Sequence, residues 1–262
     1  MGERLRTVAL AKRYAGRGGE VRALEGIDLA VGDGELTCVI GPSGCGKSTL
    51  FRILAGLEPP SAGSVRLDGE TVQGSALLGR VGYMPQKDLL LPWRTVLDNT
   101  IIGLEIAGVA RAEARARAAS WFALFGLDGF EHRHPADLSG GMRQRAALLR
   151  TFLAGRDVIL LDEPFGALDS LTRAGMQQWL LEVWERHRKT IVLITHDVDE
   201  ALFLSDRVYV LSARPGRVLR TLEVDLPRPR DYAVTTSEGF ARQKRLLLEQ
   251  LRLAPGPREP VP

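Results

Sequence analysis

The sequence predicts an α/β fold in which helices surround a parallel sheet. Short apolar segments of strand length alternate with longer amphipathic segments over much of the 262 residues. A glycine-rich stretch at residues 41–46 lies between one such strand and the following helix. Residues 7–31 predict short alternating strands, whereas residues 87–154 show helical patterns. We therefore expect an α/β core with an antiparallel β subdomain and an inserted α-helical subdomain.

The composition is that of a soluble globular protein, with 45% hydrophobic and 26% charged residues. The net charge of +3 comes from scattered Lys and Arg residues, with mild clusters at 111–117 and 242–245 that suit the polar faces of helices. Because no basic stripe with interleaved aromatic residues is present, we expect no nucleic-acid partner.

The cysteines and the apolar runs favour a protein of the cytoplasm. Cys38 and Cys45 form neither a metal-ligand spacing nor a disulfide framework, which favours a reducing compartment. The first residues lead into no signal-peptide core, and no apolar run approaches the ~20 residues that a membrane-spanning helix needs.

The first strands are predicted at residues 7–10, 21–24 and 27–31, with a turn at residues 16–19 between the first two. Tyr14 stands just before that turn. It is either an aromatic residue of an edge strand or a platform on which a purine ring stacks, since aromatic faces stack on bases.

The glycine-rich stretch follows the apolar strand Leu36–Ile40 and precedes a helix predicted from Ser48 to Ala55. It has the G-x-x-x-x-G-K-S pattern, in which backbone N–H groups and the helix N-terminus surround a phosphate chain. Lys47 would reach the β- and γ-phosphates, and the Ser48 hydroxyl would bind Mg²⁺. The candidate nucleotide contacts are Gly41, Pro42, Ser43, Gly44, Cys45, Gly46, Lys47, Ser48 and Thr49.

The next strands are predicted at 64–67 and 80–84, and helices at 95–107 and 111–125. Gln86 follows the second strand, where ligand-contacting groups gather in open α/β sheets. The apolar segment Leu89–Trp93 either packs inward or forms a docking patch for a partner.

The segment Leu138–Arg145 predicts a helix start, with Ser139 as its N-cap and the helix continuing to Ala154. Gly140 and Gly141 leave free backbone N–H groups there. The segment is therefore either a capped helix or a second anion site.

A buried strand at residues 158–161 ends in two carboxylates, Asp162 and Glu163. Two acids at the end of an apolar strand are costly to bury without a purpose. Asp162 would support Mg²⁺, and Glu163 would polarise the attacking water.

A long helix is predicted from Asp169 to about Arg188, followed by a core strand at 190–195. His196 stands at the end of that strand. Although a lone histidine is commonly structural, this position makes it a candidate γ-phosphate sensor. The remaining predictions are a helix at 197–203, strands at 207–211 and 218–224, a helix at 236–251 and a disordered tail at 254–262.

Together these segments resemble the ATPase subunit of an ABC transporter, from Tyr14 to about Val224. GPSGCGKST resembles its P-loop, LSGGMRQR its signature, VILLDEP its Walker B strand and GALD its D-loop. The one departure is Met142, where many members have Gln. The resemblance implies a P-loop NTPase (RecA-like) core over residues 1–230, with residues 231–262 forming a C-terminal helix and tail.

The resemblance also implies roles for individual residues. Glu163, His196 and Gln86 would be catalytic, and Ser48, Gln86 and Asp162 would hold Mg²⁺. ATP would be contacted, besides the P-loop, by Tyr14, Ser139, Gly140, Gly141 and Asp169. One P-loop and one signature in the chain imply a head-to-tail homodimer with Ser139 acting in trans, although a heterodimer stays open.

The finer resemblance is to importer ATPases of the nitrate/sulfonate/taurine group, carried by residues 88–99, 162–173 and 195–217. ATPases that serve thiamine-precursor pyrimidines are similar in these segments. The resemblance implies permease subunits that dock near Gln86–Trp93, an indirectly coupled solute-binding protein, and a location on the cytoplasmic face of the membrane. An exporter ATPase and a soluble ABC protein remain as alternatives, and the transported solute stays open.

Overall fold

The secondary structure alternates as an α/β chain does. A computed structural model describes residues 2–16, 19–72, 74–166 and 168–252. The strands are β1 (Glu3–Gly16), β2 (Gly19–Gly32), β3 (Leu36–Ile40), β4 (Ala62–Leu67), β5 (Glu70–Val72), β6 (Gly82–Met84), β7 (Val158–Asp162), β8 (Thr190–Ile194), β9 (Arg207–Leu211) and β10 (Val218–Glu223). The helices are α1 (Lys47–Leu54), α2 (Val96–Thr100), α3 (Ile102–Ile106), α4 (Arg111–Phe122), α5 (Gly140–Leu153), α6 (Ser170–His187), α7 (Val198–Leu204) and α8 (Glu238–Arg252).

One sheet is antiparallel, with strand order β2-β1-β4-β5. The two strands predicted at 21–24 and 27–31 are a single strand, β2. The reason is a bulge. Leu10 pairs with Ile27 and Lys12 with Leu24, so between these two pairs β2 has one residue more than β1, and the pairing continues on both sides. Gly26 has φ 62° there, which a glycine adopts at little cost. Two residues of the predicted turn, 17 and 18, lie outside the described residues.

The second sheet has the order β10-β9-β3-β8-β7-β6. All its neighbours pair in parallel except β10, which is antiparallel to β9. Every residue of β3, β7 and β8 is buried, which is why these strands are continuous apolar runs in the sequence. Parallel pairing brings their carboxyl ends to one edge, where the loops with the predicted site residues emerge.

The parallel sheet separates two buried clusters. On one side its side chains pack with α1 and the antiparallel sheet, and on the other with helices α2–α7. The helix predicted at 95–107 is divided into α2 and α3 at Ile101. The Thr100 hydroxyl bonds back to the Leu97 carbonyl at 2.8 Å, a contact that bends helices. Gly103 lets α3 approach Ala154, whose Cβ would lie 3.0 Å from a Cβ at that position.

The C-terminal segment is attached to helix α7. The buried Arg230 donates to the carbonyls of Leu202, Phe203 and Ser205, at the end of α7. Helix α8 then packs against α7 and buries Phe240 and Leu247. The predicted disordered tail, 254–262, lies outside the described residues. Within the part of the chain that the structure describes, no helix is long and apolar enough to cross a membrane.

Candidate functional site

The loop between β3 and α1 requires glycine at two positions. Gly44 and Gly46 have φ of 73° and 107°. A Cβ at Gly46 would lie 2.7 Å from Leu24 Cδ2 and 2.9 Å from the Ala23 carbonyl oxygen. Helix α1 then begins with neither a capping side chain nor an acidic residue in its first turn. Its first N–H groups are therefore free to bind an anion.

Lys47 is buried with its ammonium inside the curve of this loop. Its Nζ donates to the carbonyls of Gly41 at 2.8 Å and Pro42 at 3.1 Å. The cavity beside it has a volume of about 210 Å³ and is lined by Ser43, Gly44, Gly46, Lys47, Ser48, Thr49, Glu163 and Arg214. A larger cavity of about 560 Å³, lined in part by Gly32–Glu35 and Arg207, includes neither the glycine-rich loop nor the start of α1. We therefore place the phosphate site in the smaller one.

Asp162 stands at the end of β7, facing α1. The Ser48 hydroxyl lies 3.4 Å from its Oδ1, and the Tyr83 hydroxyl donates to Oδ2 at 3.5 Å. Burial raises the pKa of Asp162, while the hydrogen bond from Ser48 opposes the shift. Burial also raises the pKa of Tyr83 to about 12, helped by the nearby Asp162 charge. A cation at Asp162 would compensate its buried charge.

This oxygen pair suits a magnesium ion. Mg²⁺ prefers oxygen ligands and is held by one or two protein groups together with water and substrate phosphates. Ser48 and Asp162 supply a hydroxyl and a carboxylate, and no group of three or more His, Cys, Asp and Glu side chains among the described residues is arranged to hold a metal. Ser48 and Asp162 therefore suit a metal ion that binds together with a phosphate chain.

The three predicted catalytic residues meet at one oxygen atom. Gln86 Nε2 donates to Glu163 Oε2 at 3.0 Å, and His196 Nδ1 lies 3.5 Å from the same oxygen. Glu163 has φ 48°, a left-handed conformation that costs a non-glycine residue about 1–3 kcal/mol. Its N–H donates to the Ile194 carbonyl at 2.9 Å, across to β8. The strained turn thus aims the carboxylate at the phosphate cavity.

Eight predicted nucleotide contacts do not line this cavity: Gly41, Pro42 and Cys45 of the loop itself, and five residues elsewhere in the chain. Among these five, the Tyr14 hydroxyl donates to Glu58 Oε2 at 2.5 Å and accepts from Arg52 at 3.5 Å. Its role as a purine platform stays a prediction.

The other four lie at the starts of α5 and α6. Ser139 caps α5 by accepting from the Met142 N–H at 3.2 Å, and Asp169 caps α6 by accepting from the Thr172 N–H at 3.0 Å. A Cβ at Gly141 would lie 3.2 Å from Thr172 Cγ2, so the two helix starts are adjacent. Gly140 begins α5 and is exposed. None of these groups lines the phosphate cavity of its own chain.

Two further residues, Tyr83 and Arg214, lie at the site without having been predicted from the sequence. Tyr83 contacts Asp162, as described above. Arg214 lines the phosphate cavity, and its Nε donates to the Gly44 carbonyl at 3.1 Å. The sequence predicts the turn at residues 213–216, but only the structure shows that β9 lies parallel to β3, which places this turn beside the loop after β3.

Comparisons with known proteins agree with this geometry. The family model described as ABC transporter matches residues 24–166. The taurine import ATP-binding protein TauB of Pseudomonas aeruginosa is 42% identical, covering 94% of this chain and 95% of the relative. The formylaminopyrimidine import ATP-binding protein ThiZ of Halalkalibacterium halodurans is also 42% identical, covering 87% of this chain and 88% of the relative.

A solved structure extends the comparison to the fold. It is a dimeric ATP-binding cassette in a post-hydrolysis state bound to ADP and Pi, with 29% identity, a TM-score of 0.75, and coverage of 85% of this chain and 100% of the other. The chain therefore belongs to the ABC transporter family, as an ATP-binding cassette with the P-loop NTPase fold. The predicted family, fold class and ATPase activity are confirmed.

Proposed function

We propose that the protein is the ATP-hydrolysing subunit of an importer and energises uptake of a small solute through a membrane permease. The observation that carries the hydrolytic part is the meeting of Gln86, Glu163 and His196 at one oxygen beside the P-loop cavity. The import part rests on relatives named for taurine and formylaminopyrimidine import. A small sulfonate or a thiamine-precursor pyrimidine is the solute class that these relatives favour.

Phosphoryl transfer to water requires mainly positioning and charge neutralisation from the protein. Lys47 and the first N–H groups of α1 hold the phosphate chain. Ser48 and Asp162, with Gln86 as the third predicted ligand, would hold Mg²⁺, which supplies charge neutralisation when bound. Glu163 orients and activates the attacking water, because its carboxylate faces the cavity. His196 and Gln86 hold that carboxylate in position through their contacts with Oε2.

The functional unit is a head-to-tail homodimer. Ser139, Gly140, Gly141 and Asp169 lie away from the phosphate cavity of their own chain, so a second copy is needed for them to contact nucleotide. The solved cassette to which this chain is similar is dimeric, which supports a dimer. ATP would favour the closed dimer because only that state supplies both halves of the site.

The permease would dock on the segment Gln86–Trp93, at the cytoplasmic face of the membrane. Leu89 and Trp93 are 58% and 72% exposed. Arg150 of α5 donates to the carbonyls of Asp88 and Leu89 at 2.5 and 2.8 Å, so the segment is attached to the helix that Ser139 caps. Residues 87–154 would move together and transmit the ATP-driven motion to the permease, which in turn receives solute from a solute-binding protein.

Extraction of the tagged chain from its native membranes in mild detergent tests this proposal. We expect a multi-span permease to be recovered with the wild-type chain and lost with Trp93→Ala. Leu57→Ser, at a residue that is 55% exposed and distant in sequence from the segment, is the control and should retain the permease. Recovery of ribosomes or DNA, or of no membrane protein, would contradict the transport function while leaving the ATPase assignment intact.

A further inference from the structure

A buried polar cluster lies between helices α6 and α7, outside the phosphate cavity. Its centre is Glu200, which is only 4% exposed and lines a small cavity of about 180 Å³. Gln177 Nε2 donates to Glu200 Oε2 at 2.9 Å. The other oxygen, Oε1, has no hydrogen-bond partner among the described residues. A buried carboxyl that is half satisfied is costly, which calls for a reason beyond packing.

The position of Glu200 links two loops of the proposed catalytic site. Glu200 is in the first turn of α7, immediately after the loop that carries His196. On the other side of His196, the Thr195 hydroxyl accepts from the Asp197 N–H at 3.0 Å, and the Glu200 N–H donates to Asp197 Oδ1 at 3.2 Å. Gln177, whose amide donates to the Glu200 carboxyl, belongs to α6, the helix that begins after Asp169. Glu200 thus connects the His196 loop, through its backbone, with the Asp169 helix, through its side chain.

Arg173 forms a second bridge between the same elements. Its Nη1 lies 3.7 Å from Asp197 Oδ2, and its Nη2 donates to the Leu168 carbonyl at 2.9 Å. Asp197 also caps α7, by accepting from the N–H groups of Asp199 and Glu200 at 2.8 and 3.2 Å. The cap of α7 is therefore a fixed negative charge next to Glu200.

These neighbours shift the pKa of Glu200 in opposite directions. Burial raises the pKa of Glu200 to about 7, and the Asp197 charge adds to the shift. The hydroxyl of Thr195, the hydrogen bond from Gln177 and the charge of Arg173 oppose it. Of the other elements packed against α7, strand β3 contributes the Cys38 thiol and helix α8 contributes Lys244, which pairs with Asp199 at 2.7 Å. The segment Tyr232–Thr236 contributes Tyr232, which lines the same cavity.

We propose that Glu200 is a positioning residue whose neutral carboxyl holds the His196 loop against helix α6, and whose ionisation loosens that loop and slows ATP hydrolysis. An ionised Glu200 would repel the Asp197 carboxylate that caps α7, and the displacement would pass to the adjacent His196. The inference rests on the proposed roles of His196 and Glu163. The proposed role of Glu200 makes the ATPase rate depend on pH near neutrality, although Glu200 does not contact nucleotide.

The test compares the steady-state ATPase of the full chain with that of Glu200→Gln between pH 6 and pH 8.5. Gln is the neutral isostere, so the variant should match the wild type at pH 6. The ratio of wild-type to variant kcat should fall about fivefold by pH 8.5, within the loss that a small misplacement of a catalytic group produces. The KM for ATP should be the same in both proteins. Every other titratable group is common to the two proteins, so the ratio isolates Glu200.

Glu182→Gln is the matched control, because Glu182 is an exposed glutamate of the same helix α6. It should keep the wild-type pH profile. Infrared difference spectra provide a second readout: a carboxylic C=O band should be lost between pH 6 and 8.5 in the wild type and be absent from Glu200→Gln. A constant rate ratio, or no titrating band, would overturn the inference. Loss of hydrolysis at every pH in the wild type would instead overturn the proposed function.

Discussion

Helices α1 and α5 both begin at glycines in a loop at the phosphate-binding end of the molecule, yet their N-termini differ. The first N–H groups of α1 are uncapped and face a cavity that also holds Lys47, Ser48 and Glu163. The start of α5 is capped by its own Ser139 and lies beside α6, away from that cavity. A glycine-rich helix start therefore forms a complete anion site where a cation and a metal ligand converge on it, as they do at α1. In the proposed head-to-tail dimer, the α5 start is half of a site that a second chain completes.

The largest expected effect is at the acid that faces the α1 site. Glu163→Gln removes the group that activates water but keeps its size and its bond to Gln86, so we expect turnover to fall by roughly 10²–10⁴. ATP affinity should change little, because the P-loop is untouched. ATPase assays and nucleotide titrations check both values, with Glu182→Gln as the control. Near-normal turnover would show that Glu163 is not the general base.

A matched glycine pair tests the two helix starts directly. Gly46→Ala places a Cβ against Leu24 and the Ala23 carbonyl at a positive φ, so we expect ATP affinity to fall by about 30-fold or more, a loss of about 2 kcal/mol. Gly140→Ala meets only the flexible end of Arg143 at 3.8 Å. The monomeric variant should bind ATP nearly as the wild type does, because the proposed contact of Gly140 with nucleotide forms only in the dimer. Equal losses in titrations of the two variants would show that both helix starts bind nucleotide within one chain.

Dimers that combine one wild-type and one variant chain test whether the α5 start acts on the nucleotide of the second chain. Ser139→Ala should lower hydrolysis about tenfold at the one site that it faces, and leave the other site active. The substitution also removes a helix cap, which costs about 1 kcal/mol of stability. Thr95→Ala removes the equivalent cap of α2 and is the control. Equal loss at both sites, measured by site-specific nucleotide labelling, would contradict the head-to-tail arrangement.

The smallest expected effect concerns Arg214, the additional cation at the α1 site. Arg214→Gln should raise the KM for ATP about threefold to tenfold with little change in kcat, as expected for one partly exposed charge at a phosphate site. Arg217→Gln is the control, because Arg217 lies on the same turn but pairs with Glu25 at 2.7 Å. If both variants behave alike in steady-state kinetics, Arg214 has no direct part in nucleotide binding.

Several elements could be predicted from the sequence to within a residue or two. Strands β3 and β9 have the predicted bounds, because largely apolar runs of strand length leave few alternatives. Other boundaries were not predicted. Strand β2 continues through Gly26 because β1, a separate segment, provides a bulged partner, and a local sequence pattern does not show that pairing. The division of the helix at 95–107 accompanies a local hydrogen bond from the Thr100 hydroxyl to the Leu97 carbonyl, which the helical hydrophobic pattern does not indicate either.

The sequence by itself determined the phosphate-binding loop, since positive φ at glycine and free N–H groups at a helix start are local backbone properties. It also determined the family, through motifs whose order needs no coordinates. Only the tertiary structure decided that Gln86 and His196 meet at the same oxygen of Glu163, and that Arg214 reaches Gly44. The physical reason is parallel pairing: β6, β7 and β8 are far apart in the chain, and only the sheet aligns their carboxyl ends at one edge.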